Sequence, residues 1–236
     1  MNYIPYKSRF VAGEILAEFV LNENNQLQKV LIEDKNNFFA FAIPNGGVPV
    51  AEGFCSRLDI KYDILIVRKI KIPFNTEAGF GSITTDGTVL INESLLNRLN
   101  LSEKEVLNAV ELTNSEIKER LRFYNKEQNL EEKYLKNIRS KIIFMMDDGL
   151  ASGFTMLAAI KMIKKYQPRK IIISVPTAPL HTIKNIEREV DNIYCPNIRN
   201  TAWFAVADAY RHWYDVPESE IIEILKNSKY YSTNIE

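Results

Sequence analysis

The chain has 236 residues, of which 46% are hydrophobic, 11% aromatic and 25% charged, enough apolar side chain for a substantial core and too much for a disordered polymer. Lys plus Arg and Asp plus Glu are equal at 30 each, so no net field draws the protein to nucleic acid or an anionic membrane, and any anion it binds must meet a local arrangement of charge. The two cysteines, Cys55 and Cys195, match no metal-ligand spacing; residues 1–9 lack a secretory pattern and no apolar run approaches the roughly 18 residues that span a membrane, so a reducing, cytoplasmic setting is expected.

Phe10, Val11, Ile15, Leu16, Phe19 and Val20 recur at helical spacing, which predicts an amphipathic helix over residues 8–21. The apolar run 38–43 reads as a strand stopped by Pro44-Asn45-Gly46-Gly47, and helical periodicity returns over 48–58. A second strand is expected over 62–67. Arg68-Lys69 follows it, with a stretch to residue 87 that holds Gly79, Gly81 and Gly87 and reads as a long mobile loop. Ser102-Glu103-Lys104-Glu105 has the form of a capping box with Leu101 as its staple, opening a structural helix that reaches about residue 124.

Residues 141–146 predict a third strand, 147–153 a turn, 155–166 a helix with Met156, Ala159, Ile160 and Ile163 on one face, and 171–175 a fourth strand. Beyond residue 176 a helix is expected near 180–189, a strand at 192–194, an aromatic cluster of Trp203, Phe204, Tyr210, Trp213 and Tyr214, and a last helix from about 217 to 225, with 228–236 frayed. Strands alternating with helices predict an α/β fold, a doubly wound parallel sheet with right-handed crossovers and ligand sites at the carboxyl ends of its strands. The whole chain, 1–236, is expected to form a single domain.

The segment Ile142-Ile143-Phe144-Met145-Met146-Asp147-Asp148-Gly149-Leu150-Ala151-Ser152-Gly153-Phe154-Thr155 carries the most chemistry. An apolar strand delivers two carboxylates to its end, and ionised carboxylates are acceptors suited to a vicinal diol. From Gly149 to Thr155 the backbone amides, with the start of a helix, can wrap a phosphate, and Ser152 and Thr155 can add hydroxyls. Diol binder, phosphate cradle and helix follow in the order that a sugar 5-phosphate requires. On residue types alone, an Asp-Asp-Gly turn that merely caps a helix uses the same letters.

This segment resembles the phosphoribosyl pyrophosphate signature of the type I phosphoribosyltransferases. The resemblance implies that Asp147 and Asp148 bind the ribose hydroxyls and with them magnesium, and that Gly149, Leu150, Ala151, Ser152, Gly153, Phe154 and Thr155 bind the 5-phosphate. Asn45, Gly46 and Gly47 then correspond to the family's pyrophosphate loop, and Arg68 and Lys69 to cations that hold the departing pyrophosphate. With Glu77-Ala78-Gly79-Phe80-Gly81-Ser82-Ile83, these motifs are similar to a subgroup of uncharacterised, predicted phosphoribosyltransferases over about residues 8–225. Members often carry arginine at the position of Asn45 and threonine at that of Ser152.

As the resemblance implies, the fold is a type I phosphoribosyltransferase core over about 36–178 with a small hood built from the termini, about 1–24 and 196–226. The expected activity is that of a glycosyltransferase moving ribose 5-phosphate from phosphoribosyl pyrophosphate to a small-molecule acceptor, a nucleobase in the leading reading. Lys69, Arg68 and Glu77 are the catalytic candidates, Glu77 either orienting magnesium or acting as a base, while a solvated loop acid remains the simpler account of it. The aromatic cluster could stack an aromatic acceptor or pack a core. A homodimer is expected, with no nucleic-acid or membrane partner. Two alternatives stay open: a phosphoribosyl pyrophosphate or nucleotide sensor without turnover, and, ranked lower, a magnesium-dependent phosphatase or receiver domain.

Overall fold

A computed structural model describes residues 4–201 and 203–232, with all their side chains except those of residues 76 and 77. Two helices lead the chain, α1 (Arg9–Glu23) and α2 (Asn25–Glu33), followed by β1 (Phe38–Ala42), α3 (Gly47–Leu58) and β2 (Tyr62–Ile64). An excursion then runs through β3 (Val67–Ile72), β4 (Asn75–Thr84), β5 (Val89–Ile91), α4 (Glu93–Leu99), α5 (Glu103–Phe123) and α6 (Leu130–Ile138). The chain returns in β6 (Ile142–Met146), α7 (Phe154–Lys165), β7 (Lys170–Ser174), β8 (Thr177–Pro179), α8 (Leu180–Ile186), β9 (Asn192–Tyr194) and β10 (Asn197–Arg199), and ends with α9 (Glu218–Asn227).

The central sheet has the order β2-β1-β6-β7-β9 and every pairing is parallel. Its strands are apolar on both faces because helices cover both, as an all-parallel sheet requires. Period-two alternation sorts the side chains. Phe38, Ala40, Ala42, Ile142, Phe144 and Met146 pack with residues of α1 and α3, whereas Phe39, Phe41, Ile143 and Met145 pack with α6 and α7. Phe144 is fully buried, so truncation to alanine should cost about 3–5 kcal/mol. The expected α/β class and parallel sheet are what the chain adopts, and the predicted capping box at Ser102 and Glu105 is formed at the start of α5.

Three expectations require correction. The predicted second strand ends at Ile64, and Val67 opens a separate antiparallel sheet ordered β3-β4-β5, so Arg68 and Lys69 lie within β3. The predicted mobile loop is mostly that sheet. Its glycines serve close strand approach: a Cβ on Gly79 would stand 3.0 Å from the Ile70 carbonyl, and one on Gly81 would stand 2.8 Å from that of Leu90. Residues 230–232 are not frayed, since Tyr62 N–H donates to the Tyr230 carbonyl at 2.9 Å and Ser232 N–H to the Tyr62 carbonyl at 2.7 Å. Residues 233–236, also expected to fray, lie outside the described residues. Among the described residues no helix is long and apolar enough to cross a membrane.

Candidate functional site

Strand order reverses between β1 and β6: the chain steps from β1 to β2 on one side, and later from β6 to β7 and β9 on the other. In such sheets a crevice opens beyond the carboxyl ends of the two strands at the switch. Ala42 pairs with Met146, and Ile43 N–H donates to the Met146 carbonyl at 2.9 Å, so both connecting loops leave the sheet at one level. One loop is Asn45-Gly46-Gly47 and the other begins Asp147-Asp148-Gly149.

The two loops touch. A Cβ on Gly46 would lie 2.0 Å from Asp148 Oδ2, and one on Gly47 would lie 3.0 Å from the Asp147 α-carbon, so glycine at both positions allows the backbones to meet. Asp148 N–H donates to Asp147 Oδ1 at 2.8 Å. The carboxylates differ in their surroundings. Asp148 Oδ2 accepts from Arg9 Nε at 2.8 Å, with the Arg9 and Asp148 side chains only 5% and 14% exposed. Burial, then the charge of Asp148, holds Asp147 well above the usual carboxylate range. Burial raises Asp148 too, but the Arg9 guanidinium opposes it.

The chain ends frame Asp148. Arg9, the first residue of α1, has its guanidinium carbon 4.2 Å from the ring centre of Trp213 and 5.4 Å from those of Tyr210 and Tyr214. Tyr210 donates its hydroxyl to the Asp148 carbonyl at 2.6 Å, and Tyr6 bridges to Tyr210 through the backbone. Part of the aromatic cluster therefore packs around a cation beside the acid pair. Trp203, in contrast, is 91% exposed.

Beyond the acids, Gly149 fits closely between Val206 and Thr177. Leu150 has its side chain buried among apolar residues, and its N–H donates to the Thr177 carbonyl at 3.0 Å. Ala151 and Ser152 are exposed, and among the described residues the amides of Ala151, Ser152 and Gly153 have no hydrogen-bond partner. Gly153 takes φ +74° and caps α7, while Phe154 N–H donates weakly to Ser152 Oγ at 3.4 Å. Thr155, half-buried, is in the first turn of that helix. Unpartnered amides at a helix N-terminus are a ready seat for an anion.

Asn45 turns its side chain away from the acids, with Nδ2 donating to the Val216 carbonyl at 2.9 Å and Oδ1 accepting from Arg120 Nη1 at 3.2 Å. Arg120 also pairs with Glu218 at 2.5 Å. Arg68 lines a neighbouring cavity of about 400 Å³ with Arg120, Lys71 and Glu116. Its Nε is buried without a hydrogen-bond partner, and among the described residues it makes no ion pair. Burial, then the Arg120 charge, draws Arg68 below the usual arginine range. Lys69, next along β3, is exposed; Glu77 is in β4, but its side chain lies outside the described residues.

Arg9 and Arg120 were not legible as site residues, since each reads in sequence as an ordinary helix position, and Tyr210, expected either to stack an acceptor or to pack a core, instead holds the Asp148 backbone. Among the described residues no group of three or more Asp, Glu, His or Cys side chains could hold a metal ion. Asp147, which makes no ion pair among the described residues, is the carboxylate that could hold a metal ion completed by water and ligand oxygens.

A family profile described as "Phosphoribosyl transferase domain" matches residues 12–211. Two Mycobacterium tuberculosis proteins, named "Putative phosphoribosyl transferase Rv0571c" in strain H37Rv and "Putative phosphoribosyl transferase MT0597" in strain CDC 1551, are each 27% identical over 184 residues. Each match covers 78% of this chain but only 40% of the relative's length. The crystal structure of TT1426 from Thermus thermophilus superposes with a TM-score of 0.67 at 19% identity, covering 94% of this chain and 97% of that one, and so has the same fold.

Proposed function

Because the chain belongs to the phosphoribosyl transferase domain family, we propose that it is a glycosyltransferase moving ribose 5-phosphate from phosphoribosyl pyrophosphate to a small-molecule acceptor, a nucleobase being the first class to screen. The observation that carries the reading is the meeting of Gly46 and Gly47 with Asp147 and Asp148 at the β1/β6 switch, immediately before the α7 amides. That arrangement suits a ligand with a diphosphate, a diol and a second phosphate.

In this reading the amides of Ala151, Ser152 and Gly153, with the Ser152 and Thr155 hydroxyls, hold the 5-phosphate, and Asp147 accepts from the ribose hydroxyls. The half-buried glycine backbone at Gly46 lets the diphosphate approach, and Arg68, which makes no ion pair among the described residues, offsets the charge that develops on it. Asp147 would hold a magnesium ion, which when bound would supply further charge neutralisation. The acceptor's lone pair forms the new bond to the anomeric carbon as the bond to pyrophosphate oxygen breaks and its electron pair leaves with pyrophosphate. Much of the rate would come from positioning and charge stabilisation. Lys69 and Glu77, on the β3–β4 hairpin, would act at its rim. The chain ends would form the hood over a single core, in a homodimeric, cytoplasmic protein; Cys55 and Cys195, both free and buried, suit a reducing compartment.

Calorimetric titration of magnesium phosphoribosyl pyrophosphate into the wild type and Asp147→Asn tests the donor site. Binding that the variant loses supports it, and no binding by either removes it. A sensor without turnover is the second reading, favoured by the Asn45 side chain being engaged by Val216 and Arg120. It predicts donor binding with no acceptor that supports pyrophosphate release.

A further inference from the structure

We infer that Arg9 is a positioning residue for the ribose end of the donor site, clamping Asp148 against Gly46 so that the sugar loop and the diphosphate loop are held in one register. The inference rests on the donor reading above. Three observations carry it. Arg9 is almost wholly buried, yet its Nε meets the Asp148 carboxylate at 2.8 Å. That same oxygen is the atom a Cβ on Gly46 would strike, so the ion pair sits at the junction of both loops. Finally, the guanidinium is stacked 4.2 Å from Trp213 and flanked by Tyr210, whose hydroxyl takes the Asp148 carbonyl, so the backbone and side chain of Asp148 are fixed from one frame.

A buried cation held by an ion pair and several aromatic faces is a fixed part of the site and not a latch that each ligand must displace. Arg9 acts through Asp148: with Asp148 Oδ2 engaged, Asp147 is left as the carboxylate facing a ligand, and its side chain is held by the Asp148 N–H, which donates to its Oδ1. The sugar hydroxyls should therefore feel the loss of Arg9, while pyrophosphate alone, bound at Gly46 and Arg68, should not.

The test is calorimetric titration of magnesium phosphoribosyl pyrophosphate, and separately magnesium pyrophosphate, into the wild type, Arg9→Ala, Arg9→Lys and Trp213→Leu, with folding checked by circular dichroism. The expected result is a loss of about tenfold in donor affinity for Arg9→Ala, the scale on which removal of an orienting partner is felt. Pyrophosphate binding should change by less than about twofold, and Arg9→Lys should recover part of the loss through its point charge. Unchanged donor binding by a folded Arg9→Ala, or an equal loss of both ligands, overturns the inference while the donor reading stands. No donor binding by the wild type overturns the donor reading and the inference with it. Should Arg9→Ala not fold, Trp213→Leu decides: a selective loss of donor affinity supports the clamp and no change overturns it.

Discussion

Gly46 and Asp148, 102 positions apart in the chain, are in such close contact that a Cβ on Gly46 would lie 2.0 Å from Asp148 Oδ2 and 2.4 Å from its Cγ. A carboxylate on a free side chain could swing aside, but this one is tied to the buried Arg9. Gly46→Ala should therefore either break that ion pair or push the two loops apart, at a cost of about 1–3 kcal/mol in chemical unfolding, as overpacking typically exacts. Donor binding measured by calorimetry should fall with it.

The two acids should respond oppositely to neutralisation. Asp147 is held above the usual carboxylate range by burial and by Asp148, so Asp147→Asn removes an unfavourable charge and should leave stability unchanged or higher while abolishing donor binding. Asp148→Asn leaves Arg9 buried without its counter-charge and should cost about 3–5 kcal/mol. Urea unfolding of the two single variants compares them directly; equal stability would contradict the assignment of Arg9 to Asp148.

Gly153 adopts φ +74°, and a Cβ there would lie 2.5 Å from Ile186 Cδ1 and 2.7 Å from Thr182 Cγ2. Gly153→Ala combines backbone strain with a clash and should destabilise the protein by about 1–3 kcal/mol. Because the neighbouring amides are the proposed phosphate seat, ribose 5-phosphate binding should weaken while pyrophosphate binding holds.

Asp86 ties the β4–β5 turn to α7. It accepts from Thr84 Oγ1 at 2.8 Å, from Thr88 N–H at 2.9 Å and from the Thr88 hydroxyl, and it pairs with Lys165 at 3.4 Å. Burial opposes its charge, but the Thr88 and Thr84 hydrogen bonds together leave the carboxyl below its usual range. A lowered folded value means that its stabilisation is complete above the ordinary aspartate pKa of about 3.9 and is lost as pH falls through the lower folded value. Asp86→Ala should cost about 1–3 kcal/mol near neutrality. Its stability curve should be flatter than the wild type's below about pH 4, which thermal unfolding across pH would show.

Much of this protein was legible in one dimension because the relevant physics is local. The apolar run 38–43 stopped by Pro44-Asn45-Gly46-Gly47 marked β1 and the run 141–146 ahead of an acid pair marked β6, Ser102 and Glu105 marked the start of α5, and Asp147-Asp148 followed by small residues marked a sugar-phosphate loop. The β3–β4 hairpin was misread because its glycines look like those of a mobile loop. Only the partner strand reveals that they admit a close backbone approach.

The sequence by itself determined the parallel α/β class and the family, since strand and helix periodicity and a contiguous motif do not depend on what folds against them. Tertiary structure alone decided that Leu150 is core, that Asn45 faces Val216 and Arg120, and that Arg9 belongs to Asp148. Those outcomes depend on contacts between residues far apart in the chain, whose partners are chosen by how the sheet brings its loops and ends together, and no local pattern encodes that choice.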